Sequence, residues 1–89
     1  MSEEELIRKN IELSTEFGKY LLDNPELAEK ISPEAVIVFV DESNPELSKY
    51  NLSLAEKAER EGQPIVQVQI KGLAPEVTRL LQPHLVFSR

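Results

Sequence analysis

The chain has 89 residues, sixteen acidic against ten basic side chains, a net charge of −6 and no cysteine. That length makes one domain with a modest core, and without thiols there is no disulfide frame, thiolate nucleophile or thiolate metal site. The acidic balance opposes docking along phosphate backbones, and no apolar run reaches the ~20 residues of a membrane span. The glutamates at positions 3–5 are the reverse of a basic leader, so a cytoplasmic protein with no nucleic-acid or membrane partner is expected. Charge is unevenly spread: residues 1–62 hold fifteen acidic and seven basic side chains, residues 63–89 one and three. Lys71, Arg79 and Arg89 are too few for a nucleic-acid footprint.

The first predicted helix runs from Glu3 to Asp23, opened by Ser2 with Glu5 three residues on, the capping-box spacing. At about 100° per residue, Leu6, Leu13, Phe17, Tyr20 and Leu21 share one arc. Ile7, Ile11, Ser14, Gly18 and Leu22 form a second stripe beside it. The two together span roughly 200°, about twice what one core contact needs. Glycine inside a helix costs about 1 kcal/mol against alanine, so Gly18 asks for a compensating close approach. The second stripe is covered either within the chain or by a second copy. A small core gains from the latter, and a homodimer is the expectation.

Asn24-Pro25-Glu26-Leu27 and Asn44-Pro45-Glu46-Leu47 repeat the same four letters. Asparagine caps the free amides, proline presets φ at the first helical position, and glutamate complements the positive helix end. They predict a short helix from Pro25 to Lys30 and a longer one from Pro45 to about Glu61, stopped by Gly62. The inward stripe of the longer helix is read as Leu47, Tyr50, Leu54 and Ala58, with Ala55 at its margin. Between them, Ala35–Val40 is apolar at every position and rich in β-branched residues, the pattern of a strand covered on both faces. Ile65–Lys71 alternates apolar with polar, one face buried and the other wet or only partly covered. If it lies at the sheet edge, it is another route to self-assembly. Gly72 ends it. A helical turn from Ala74 to about Leu81 and a last strand at Leu85–Phe87 complete the reading.

The fold class is therefore α/β, in the order α-α-β-α-β-(α)-β. A parallel β-α-β core with a right-handed crossover is expected, with the long N-terminal helix opposite the third helix. Three layers are preferred to two because the first strand is apolar on both sides.

The loop Asp41, Glu42, Ser43, Asn44 leaves a central parallel strand and enters a helix N-terminus, the usual ligand position in open α/β sheets. Its acids repel phosphate, and three glycines in all (Gly18, Gly62, Gly72) build neither a P-loop nor a dinucleotide fingerprint. A hard cation or cationic ligand is the chemistry it could serve, against the plainer reading of a helix cap with solvated acids. His84, the single histidine, precedes an apolar strand with no partner in view. No catalytic residue, metal set or cofactor follows from the sequence. Two functions remain in competition. One is a non-enzymatic module that self-associates, or binds another protein, through its first helix. The other is a small-ligand or divalent-cation domain using the loop after the first strand.

The stretches Asn24–Ile31, Ala35–Val40, Asn44–Asn51, Glu61–Val66 and Ile70–Gly72 together resemble a small prokaryotic family known only as a domain of unknown function. The likeness covers residues 3–72 and rests on turns and strands rather than a chemical motif. It implies a bacterial or archaeal cytoplasmic protein and carries over no catalytic residue. The segment from Ala74 onward is not part of it.

Overall fold

A computed structural model of the chain describes residues 1–73, 80–81 and 83–88. Helix α1 spans Glu3–Asp23. It opens on a closed capping box: the Glu5 amide donates to Ser2 Oγ at 3.2 Å, and the Ser2 amide donates to Glu5 Oε1 at 2.8 Å. The Ser2 amide and hydroxyl hold the Glu5 carboxyl below its usual range. Helix α2 spans Pro25–Lys30, β1 Val36–Asp41, α3 Pro45–Arg60, β2 Ile65–Ile70, β3 Gly72–Leu73, β4 Leu80–Leu81 and β5 His84–Ser88.

The two Asn-Pro-Glu-Leu segments part company. Asn44 caps α3 as its sequence predicts, accepting from the Leu47 amide at 3.1 Å. Asn24 makes no side-chain cap on α2. Its carboxamide turns back and donates to the Tyr20 carbonyl at 2.9 Å, serving the end of α1 instead. With α1 and α2 separated by one residue, the orphan carbonyls of the first helix compete for the same side chain.

β1 and β2 pair in parallel, and β5 pairs antiparallel with β2, giving the order β1-β2-β5. The Gln67/Gln69 strand is therefore the central one, and β1 is an edge. The helical turn expected up to Leu81 is not found at its described end. Leu80 and Leu81 are extended and pair with Leu73 and Gly72, and the Lys71 amide donates to the Leu81 carbonyl at 2.7 Å. Pairing with the chain that follows β2 overrides a weak local helical pattern. The rest of that expected turn, residues 74–79, lies outside the described residues.

Residues opposite one another in the register share a face. Ile37 and Phe39 of β1, Val66, Val68 and Ile70 of β2, and Leu85 of β5 face α1. Phe17 meets Phe39 edge-on with ring centroids 5.9 Å apart, and Leu6 and Leu13 of α1 with Leu47 from the start of α3 complete this core. On the other face Val38 and Ile65 pack against Ala55 and Ala58 of α3, with Val36 beside them. The sheet thus lies between α1 and the C-terminal half of α3, the three-layer arrangement.

Helix α3 is rotated from its expected setting. Its buried stripe is Leu47, Asn51, Ala55 and Ala58, while Leu54 is 44% exposed and Tyr50 half-buried. The cause is Asn51. Its amide nitrogen donates to the Phe39 carbonyl at 2.9 Å on the open side of β1. The same carboxamide exchanges reciprocal 2.8 Å hydrogen bonds with Asn10 of α1. Asn51 is buried, so removing its side chain leaves the Phe39 carbonyl without a protein donor. A buried polar group left unpaired costs about 1–3 kcal/mol. Asn51→Ala should lower unfolding stability by that amount in urea titration. Asn10→Ala, which spares the Phe39 bond, should cost less.

Candidate functional site

The loop after β1 spends its polar groups on itself. Asp41 is buried, and its Oδ1 accepts from the Ser43 amide at 2.8 Å and the Ser43 hydroxyl at 2.6 Å. The Asn44 amide donates to the Asp41 carbonyl at 2.9 Å. Ser48 bridges the Asp41 backbone, accepting from its amide at 2.8 Å and donating to its carbonyl at 2.9 Å. Glu42 points outward to a 2.8 Å pair with Lys71. Both partners are substantially exposed, so the pair adds little. The structure does bring Asp41, Ser43 and Asn44 together, as a turn and a helix cap. Of the sparse basic residues, Lys71 is engaged here, and Arg79 and Arg89 fall outside the described residues. His84 is exposed at the start of β5, opposite Gln69.

Gly72 packs against this turn with φ at +137°, and a Cβ there would lie 3.1 Å from Ser43 Oγ. Gly72→Ala would add backbone strain to a close contact. It should lose more than about 1 kcal/mol of stability, read as a fall of at least ~4 °C in Tm.

The second stripe of α1 behaves differently. Ile7 is 48% exposed, Ile11 63% and Leu22 83%, and Ser14 and Gly18 are exposed with them. Among the described residues nothing of the same chain covers this stripe. A Cβ at Gly18 would meet nothing within 4 Å, so the glycine is not demanded by packing inside one chain.

Ile7, Ile11 and Ser14 form one wall of a groove of about 370 Å³. Tyr50 and Leu54 of α3 form the other wall, Asn10 and Asn51 close one end, and Val36–Phe39 of β1 form the floor. None of the eleven lining residues is charged, in a chain where 29% of residues are. Helix periodicity singled out Ile7, Ile11 and Ser14. It missed Tyr50 and Leu54, assigned to the core, and the asparagine pair. The spacing 47-51-55-58 carries the signal for Asn51, masked by the polarity of its side chain.

The floor of the groove is backbone. The Val36 amide donates to the Pro64 carbonyl and the Glu42 amide to the Ile70 carbonyl, so the even-numbered residues of β1 turn their polar groups to β2. In a planar trans peptide the carbonyl and the following amide point opposite ways, so the odd-numbered residues turn theirs to the open side. Asp41 is held there by Ser48, and the Phe39 carbonyl by Asn51. The Ala35 amide donates to the Ser32 carbonyl. Left facing the groove, with no partner among the described residues, are the Phe39 amide, both backbone groups of Ile37 and the Ala35 carbonyl.

These features define a small mixed α/β domain whose distinctive surface is an uncovered strand edge between two helices. The chain belongs to DUF5647, a family of unknown function, whose family model matches residues 5–83. The match extends beyond Gly72, where the sequence resemblance stopped, to the residue before β5. No curated protein and no solved structure matches the chain.

Proposed function

We propose that this protein is a non-enzymatic interaction module of the prokaryotic cytoplasm that forms a homodimer through the second stripe of α1. The observation that carries this reading is the exposure of Ile7, Ile11 and Leu22 on a helix whose other side is already committed to the core. A second copy presents the same neutral stripe and needs no complementary charge.

Magnitudes set the character of the dimer. Each of these partly exposed side chains gains roughly 1–2 kcal/mol on burial, so three from each copy gain roughly 6–12 kcal/mol. Association costs about 4–15 kcal/mol in lost freedom. The balance is a reversible dimer whose population follows concentration. Each copy carries −6, so screening salt should strengthen it. By contrast, Asp41, Ser43 and Asn44 are already bonded to one another, which argues against the loop as the functional surface.

Light scattering across a concentration series should rise from the 10.1 kDa chain mass toward twice that value, at lower concentration when salt is added. Ile11→Glu should hold the mass at the monomer while leaving far-UV circular dichroism unchanged. Gly18→Leu should weaken assembly without unfolding the monomer, because the space beside Gly18 is open. Wild-type protein that stays monomeric throughout, or an Ile11→Glu chain that unfolds, would sink the proposal.

A further inference from the structure

We infer that the second copy adds its own β1 to this strand edge, antiparallel, about a twofold axis through Ile37, so that two three-stranded sheets join into one. The inference rests on the proposed self-association and specifies its geometry.

The pattern of free and occupied backbone groups selects that register. In an antiparallel pair, a hydrogen-bonded residue exchanges both of its backbone bonds with the residue opposite. With Ile37 opposite Ile37 of the second copy, each Ile37 amide donates to the other Ile37 carbonyl. Two residues along, each Phe39 amide faces the Ala35 carbonyl of the other copy and donates to it. The remaining groups of that outer pair, the Ala35 amide and the Phe39 carbonyl, are already bonded to Ser32 and Asn51. Every group free in one chain finds a partner, and every group left out has one already.

Neighbouring registers do worse. An axis through Val38 aims both Ile37 amides at Phe39 carbonyls that Asn51 occupies. An axis through Val36 carries the Phe39 amide past the strand into the Ser32–Glu34 turn, which contains Pro33. An axis through Phe39 needs the same blocked carbonyl twice.

Side chains agree with the backbone. A twofold axis perpendicular to the sheet leaves both α1 helices on one face and both α3 helices on the other. The same pairing therefore brings the two Ile7/Ile11 stripes toward each other on one face and the two Leu54 side chains toward each other on the other. Edge strands are ordinarily guarded by a lysine, a proline or an inward charge. Val36–Val40 carries none of them, and the groove above it has no charged wall. The Asn10–Asn51 pair and Pro33 limit the pairing to a short central stretch.

The test uses wild-type protein. In a sample mixing isotope-labelled and unlabelled chains, Val36 and Val38 of different copies become a non-hydrogen-bonded pair with Cα atoms ~4.5 Å apart. Within one strand they stand ~7 Å apart. An intermolecular nuclear Overhauser contact between their α-protons is expected. Slower hydrogen exchange at the Ile37 and Phe39 amides as concentration rises should accompany it. A dimeric mass without that contact, and with exchange at these amides independent of concentration, overturns the strand pairing while leaving self-association through α1 standing. A monomer at every concentration overturns both.

Discussion

One carboxamide organises the open side of this domain. Asn51 reaches from α3 to the backbone of β1 and, in the same plane of contacts, to Asn10 on α1. A strand edge exposes backbone groups that neither apolar side chain nor helix backbone can satisfy. Placing an amide in the buried stripe of α3 meets that need at Phe39 and draws the helix toward the edge, away from the centre of its sheet face. The rotation of α3 follows, and with it the outward displacement of Leu54, while Tyr50 stays half-buried against the core. The groove exists because the helix that could have lain over β2 and β5 is tied to β1.

The two helices therefore bracket the same edge from opposite faces, and each contributes apolar surface it does not use in the core. On α1 this surplus is the second stripe. On α3 it is Leu54, released by the choice of Asn51 as the inward residue. The strand tip takes the opposite course. Apart from Glu42, which reaches outward to Lys71, its polar groups close on one another and on Gly72 in a compact corner. Position in the topology makes that corner a candidate ligand site beside the plainer reading of a helix cap, and Asp41, Ser43 and Asn44 do form a turn and a cap there.

The legible parts of the fold were those written in local physics. Ser2 and Glu5 fixed the start of α1, Asn44 and Pro45 that of α3, and Gly62 its stop, with φ at +82°. The alternation in Ile65–Ile70 marked which face of β2 is buried. Parallel pairing of β1 with β2 followed from the intervening helix. The failures came from partners that the local pattern does not name. Nothing near Leu80 and Leu81 announces pairing with Gly72 and Leu73. The neighbourhood of Asn24 does not say that Tyr20 would claim its amide. Asn51 is inward because of a carbonyl twelve residues earlier and an asparagine forty-one residues earlier. Half of the groove was visible as helical periodicity. Its floor was not, since the free backbone groups of an edge depend on sheet order, which the sequence left open.

The placement of β2 has a consequence for how the domain comes to be folded. Leu6, Leu13 and Phe17 find much of their packing surface in Val66, Val68 and Ile70, some fifty residues away along the chain. Contacts of such separation close large loops before they return any stabilisation, which slows folding relative to a helical bundle of similar size. During synthesis the long amphipathic helix emerges well before the strand it packs on. For that interval both of its apolar stripes face solvent or a chaperone, and the central strand is the piece that converts a collapsed chain into a folded one.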